Sequence, residues 1–301
     1  MSHGFSPRSI RARSLALLCV CSACSSEFPL GAFGAGGSSG DGGAASCQLA
    51  GTPGPFNAAG TEVDATLTNT DFVWSDSSDA MDIDVVIETP EPARDGYFWA
   101  YQFAFTGSPI GGFVGLQMNG RYQPMPPTGP FQTANMAVFW IGGPPVRAEL
   151  GDFAPGASRT FFETERGQNW WSINALYDVV PCRTYHLRVA RQSQEANGDI
   201  WYGAWVRDVA TSVEKFLGRI LVPAAWGQLS TQSSVFTNRI GWSKPSSCAA
   251  VEYVSARFGT PSADATMKPF SKAPRFGTPI NCPTSRISDL GDWVRHELAV
   301  P

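Results

Sequence analysis

Charge is scarce in this chain. Asp, Glu, Lys and Arg make up 16% of its 301 residues, and histidine occurs only at His3, His186 and His296. Lys and Arg form no cluster, which argues against a nucleic-acid partner. Long apolar runs are missing as well. The apolar run nearest the start, Leu15–Val20, falls far short of the ~20 residues that a membrane-spanning helix needs. Strong helical periodicity is absent throughout, which excludes a helical bundle. No Gly-x-Ser-x-Gly, P-loop, His-Glu-x-x-His or dinucleotide fingerprint occurs. His186 and His296 lack metal-ligand spacing to the cysteines and have no catalytic motif around them, so neither metal nor cofactor is expected.

Aromatic residues are what the chain has, at 12%. In Asp95–Gly120 the rings of Tyr97, Trp99, Tyr101, Phe103 and Phe105 fall on every second residue. A strand has a side-chain period of two, so all five share one face. So much apolar surface would invite aggregation if left in water, so this face is expected to be core. Thr106-Gly-Ser-Pro-Ile-Gly-Gly supplies turn chemistry, and Phe113–Met118 reads as the returning strand. Strand patterns recur at 62–68, 81–88, 136–141, 170–179, 183–191, 199–209, 215–222 and 235–242, and Trp293–Val300 reads as a closing strand. The expected fold class is all-β, an antiparallel β-sandwich or jelly roll.

The first residues read as an export signal rather than structure. Arg8, Arg11 and Arg13 precede the short apolar run, and Cys21-Ser22-Ala23-Cys24 follows. Small residues before a cysteine resemble the lipobox of bacterial lipoproteins, with Cys21 where Leu is usual. That resemblance implies lipidation of Cys24, and Ser25 after it favours the outer membrane. The alternative is an ordinary signal peptide cut near Ala23 and a freely secreted product. Removing residues 1–23 takes the formal charge from −4 to −7, since three arginines and no acids leave. Residues 31–46 are Gly/Ser-rich and read as a flexible tether. The expected organisation is a signal peptide at 1–23, anchor and tether at 24–46, a sandwich at 47–247, and a disulfide-tied extension packing on it at 248–301.

Cys47, Cys182, Cys248 and Cys282 remain in the mature chain. An even number in an exported protein suggests two disulfides, with three connectivities open. Cys248–Cys282 with Cys47–Cys182 is favoured, because Cys248 and Cys282 share the loop-rich C-terminal part. That part also repeats a short motif, Arg257-Phe-Gly-Thr-Pro and Arg275-Phe-Gly-Thr-Pro, expected as two similar outer turns.

Three constellations are candidates for function. Asp82, Asp84 and Glu88 share a strand face, and paired carboxylates ~5–5.5 Å apart perform retaining glycoside hydrolysis. The spacing fits better as the outward polar face of a half-exposed strand. Glu163 and Glu165 lie near Gln168, Asn169, Trp170 and Trp171, and acids, amides and indoles are what a sugar site needs. Trp201 and Trp205 flank Gly203 on one strand face and suggest a shelf on which a ring stacks.

Taken in order, Gly112-Phe-Val-Gly-Leu-Gln117, Val138-Phe-Trp140, Glu163-Thr-Glu-Arg-Gly-Gln168, Thr184-Tyr-His-Leu187 and Trp201-Tyr-Gly-Ala204 resemble a family of exported bacterial proteins known only as a domain of unknown function. The resemblance covers about residues 60–245. It implies a concanavalin-like or jelly-roll sandwich and no established reaction. The expected function is a non-catalytic envelope module that binds a polysaccharide or another envelope component and touches the membrane only through its lipid. The alternatives are a glycan-cleaving enzyme using Glu163 or Glu165, and a structural envelope protein.

Overall fold

The computed structural model describes residues 63–64, 67–89, 92, 96–122, 132–143, 146–151, 157–163, 169–240, 252–276 and 284–299. Among them lie eighteen strands. They begin with β1 (Val63–Asp64), β2 (Leu67–Val73), β3 (Ala80–Ile87), β4 (Tyr97–Phe105), β5 (Ser108–Tyr122) and β6 (Gln132–Gly142). The middle of the chain gives β7 (Arg147–Leu150), β8 (Ala157–Glu163), β9 (Asn169–Leu176), β10 (Thr184–Gln194), β11 (Ile200–Asp208) and β12 (Val213–Val222). The last six are β13 (Leu229–Arg239), β14 (Val254–Gly259), β15 (Ser262–Ala263), β16 (Ser271–Phe276), β17 (Thr284–Asp289) and β18 (Trp293–Leu298). One 3-10 turn at Ala224–Trp226 is the sole helical element among the described residues.

The strands form two antiparallel sheets. One has ten strands in the order β1-β17-β18-β14-β3-β10-β11-β12-β7, with β15 also pairing β3. The other has eight, in the order β16-β2-β13-β4-β5-β6-β9-β8. Their inner faces meet in one apolar core. The expected all-β sandwich is therefore the fold.

The aromatic strand lies near the middle of the eight-stranded sheet, between β13 and β5. Tyr97, Trp99, Tyr101, Phe103 and Phe105 all point into the core and are at most 2% exposed. Two glycines set the closeness of β4 to β5. A Cβ on Gly111 would stand 1.9 Å from the Phe103 carbonyl oxygen, and one on Gly115 would stand 2.4 Å from that of Trp99. On the other side of the sheet Phe98, Phe113, Trp140 and Phe236 form a second buried cluster. Phe98 meets Phe113 at 4.7 Å, and Phe113 stacks on Trp140 at 5.5 Å.

The segment after residue 248, expected as an extension laid on a finished sandwich, supplies members of both sheets. β14 pairs with β3, β17 with β1, and β16 with β2. These strands are short and mixed, and β16 contains Pro274, so their pairing was not visible in periodicity. The repeated motif has a structural meaning here. Arg257 stands opposite Val86, and its Nε reaches Oε1 of Glu88, just past the end of β3, at 2.6 Å. Arg275 stands opposite Asn69 and reaches Asp71, two residues further along β2, with Nε 2.9 Å from Oδ2. Arg257-Phe-Gly and Arg275-Phe thus end strands, each with an arginine that reaches a carboxylate diagonally across the ladder, and residues 277–279 of the second copy lie outside the described residues.

Candidate functional site

The outer face of the ten-stranded sheet carries charge in rows. Directly paired residues on neighbouring strands point to the same face, so register alone assembles a row. Asp84 on β3 stands opposite His186 on β10, His186 opposite Arg207 on β11, and Arg207 opposite Glu214 on β12. The adjacent row runs Asp82, Arg188, Trp205, Phe216. The alternate residues of these strands, among them Ile83, Leu187 and Tyr202, fill the core. A bulge where β12 faces Ala204 and Trp205 inserts Leu217, which joins the core while Phe216 stays beside Trp205 at 5.1 Å. Bulges commonly re-aim a side chain in this way.

His186 is clamped by two carboxylates. Its Nδ1 lies 2.8 Å from Oδ1 of Asp84, and its Nε2 lies 3.2 Å from Oδ1 of Asp82. Burial pushes the imidazole pKa down, but the hydrogen bonds and charges of Asp82 and Asp84 outweigh it and raise the pKa to about 9. At neutral pH the ring is an imidazolium that donates from both nitrogens, so it cannot serve as a general base. Arg188 Nε lies 3.6 Å from the same Asp82 oxygen. At the far end of the row, burial raises the carboxyl pKa of Glu214 against the opposing pull of Arg207, Arg188 and His186. Glu214 Oε2 is buried with no hydrogen-bond partner among the described residues.

The same face continues toward β18 as a second network. Glu88 Oε2 accepts from Ser255 Oγ at 2.8 Å and from Arg295 Nε at 2.7 Å, while Arg257 holds Oε1. Tyr253 donates its hydroxyl to Glu297 Oε1 at 2.8 Å, and the Arg257 guanidinium lies 5.6 Å from the Trp293 ring centre. Asp82 and Glu88, expected on a solvated polar face, are thus buried at 8% and 3% exposure. Cationic partners from β10, β14 and β18 stand where water was expected.

The tryptophans expected to bind a ligand belong to two different sheets. Trp201 and Trp205 lie on the ten-stranded sheet, and Trp170 and Trp171 on the eight-stranded one. Trp201 is 3% exposed, donates its indole N–H to Glu195 Oε1 at 3.0 Å, and lies under Arg147 and Arg219 at 4.8 and 4.4 Å. Trp205 is 5% exposed against Phe216. The shelf expected around Gly203 is therefore covered. Trp171 packs on the main core, whereas Trp170 lies on the opposite side of β9, 5.2 Å from Trp140. Adjacent strand residues must diverge in this way. Glu163 ends β8 in register with Asn169. Glu165 and Gln168 lie outside the described residues, as do Cys24, Cys47, Cys248 and Cys282. Cys182 is exposed in a turn with φ of 68°.

Sequence reasoning missed the roles of His186, Arg188, Arg207 and Glu214. The signal available was the outward alternation of His186 and Arg188 in RTYHLRVAR and the Asp-x-Asp on another strand, and only register joins the two. Among the described residues no group of three or more His, Cys, Asp or Glu is placed to hold a metal ion.

No protein-family model matches the chain, and no curated protein does. Among solved structures it is similar to the crystal structure of scytalido-glutamic peptidase with a transition-state analog inhibitor. The match has a TM-score of 0.40 at 10% identity and covers 78% of this chain and 98% of that one.

Proposed function

We propose that this chain is a non-catalytic binding module of the cell envelope, exported and held by a lipid on Cys24, whose recognition surface is the outer face of the ten-stranded sheet. The observation that carries this reading is His186, fixed as an imidazolium between Asp82 and Asp84. A ring locked in that state has both N–H groups engaged and no nitrogen free to accept a proton, so it holds the row as a fixed pattern of charge, which suits recognition more than proton transfer. The row Asp84–His186–Arg207–Glu214 sets two cationic groups between two acids, presenting acceptors and donors side by side to a neutral, hydroxyl-rich ligand such as a polysaccharide. The buried positions of Trp201 and Trp205 support a polar rather than a stacking mode of recognition.

The test is retention of the mature protein on a panel of polysaccharides, together with release of reducing ends from the same panel. Retention on at least one member is expected, weakened about tenfold in Arg207→Ala, the equivalent of ~1.4 kcal/mol. Reducing ends should stay at the buffer level. Release above buffer that vanishes in Glu163→Gln would overturn the reading in favour of an enzyme. Absence of both binding and release would overturn it in favour of a structural role.

A further inference from the structure

We infer that the interior of the sandwich holds ordered water where β2 and β13, next to β4, face β18. Thr68, Thr237 and Trp99 stand in register on three adjacent strands of the eight-stranded sheet. Such directly opposed residues hold their Cβ atoms about 4.5–5.5 Å apart. Thr70 follows two residues along β2, and its Oγ1 lies 2.8 Å from Nε2 of His296, which reaches across from the ten-stranded sheet. β18 packs on both β2 and β13. All five residues are at most 1% exposed.

Four polar atoms of this group have no hydrogen-bond partner among the described residues: Thr68 Oγ1, Thr237 Oγ1, Trp99 Nε1 and His296 Nδ1. Buried polar atoms in folded proteins nearly always have one, from protein or from water, and four orphans on neighbouring positions of the same core region indicate shared partners. Their chemistry narrows what those partners are. The indole N–H only donates, the hydroxyls donate or accept, and a neutral imidazole that donates from one nitrogen accepts at the other. An apolar occupant would leave all four unpaired. An ion would need a counter-charge, which His296 does not supply, because burial holds it neutral with a pKa of about 3. The groups placed against it are uncharged: Phe258, Ala256 and Ile287 on its own sheet, and Thr70 on the opposite one. One or two waters, each making two to four hydrogen bonds, close the set.

The experiment is proton NMR of the full chain, reading transfer of magnetisation from water to the Trp99 indole proton. A cross-peak with the sign of a long-lived bound water is expected. Its absence in the parent protein would overturn the inference. Thr237→Val, close in shape and lacking the hydroxyl, gives a second readout. With water present the variant strips it of a partner, so Tm falls by a few degrees, and Thr237→Ser restores most of the loss. In a dry interior the variant deletes an unpaired hydroxyl and Tm rises, which would overturn the inference.

Discussion

His186 and His296 belong to the same sheet and face opposite ways. His186, on β10, points outward into two carboxylates, and its pKa is raised to about 9. His296, on β18, points inward against Thr70 and the Phe258 ring, and its pKa is lowered to about 3. The contrast shows that burial alone does not set a charge state. Both rings lose hydration, and both are pushed toward neutrality by it. His186 is returned to the charged form because register places two acids beside it, whereas His296 has only uncharged neighbours. The outer face of the sheet can therefore keep charges that its inner face cannot.

The largest test of this contrast is acid. In the unfolded chain His296 takes a proton near its ordinary pKa of about 6.5. In the fold it stays neutral down to about 3. Its contribution is intact above pH 6.5 and is lost as pH falls below that value. The slope is about 1.4 kcal/mol per pH unit and sums to roughly 4–5 kcal/mol by pH 3. Urea melts from pH 7 to pH 4 should show this acid limb, and His296→Leu should flatten it. A limb that survives in the variant would assign the acid sensitivity elsewhere.

Alkali gives the next effect, in the opposite direction. The pKa of His186 is raised in the fold, so its stabilisation is complete below pH 6.5 and disappears as pH climbs to about 9. The ceiling is ~3 kcal/mol, and water at the partly exposed Asp84 reduces it. His186→Gln should remove the slope between pH 6.5 and 9 in the same melts while leaving the acid limb untouched. Together the two histidines place the stability maximum near pH 6.5.

The smallest effect compares the two Arg-Phe-Gly-Thr-Pro copies. Arg257 forms an ion pair with the buried Glu88, and Arg257→Ala should cost about 1–3 kcal/mol, because it takes a counter-charge from a buried carboxylate. Arg275 and Asp71 form an exposed pair, with side chains 52% and 39% accessible, so Arg275→Ala should cost ~0.2–1 kcal/mol and less in high salt. Equal melting shifts for the two variants would mean that burial does not govern these pairs.

Much of the inner face was readable from sequence, and little of the outer face was. The alternation of Tyr97 to Phe105 is a local, one-strand pattern, and it names its buried side without knowledge of any partner. The alternation of Asp82 and Asp84 with Ile83 and Val85 is equally local and gave the right side of β3. What it lacked was the identity of the neighbour. His186 lies about a hundred positions away, and a one-residue slip of β10 would have turned it into the core. The surroundings of the tryptophans were illegible for a related reason. Period two correctly put Trp201 and Trp205 on one face, but Arg147 and Arg219, which cover Trp201, come from strands that local pattern does not connect to β11. Trp170 and Trp171 were grouped by proximity in sequence, although adjacent strand positions always diverge.

The pairing of β1, β2 and β3 with β17, β16 and β14 bears on the time course of folding. Contacts between the two ends of a chain give a high contact order, and sandwiches of that kind fold in milliseconds to seconds rather than microseconds. Synthesis is slower still, at about 5–20 residues per second. β2 and β3 therefore emerge long before the strands that cover their open sides. In that interval each presents a bare hydrogen-bonding edge, open to pairing with another nascent chain. A chain shortened before residue 254 would keep those edges open permanently, so the last strands act as the cap that prevents self-association as well as the closing members of the two sheets.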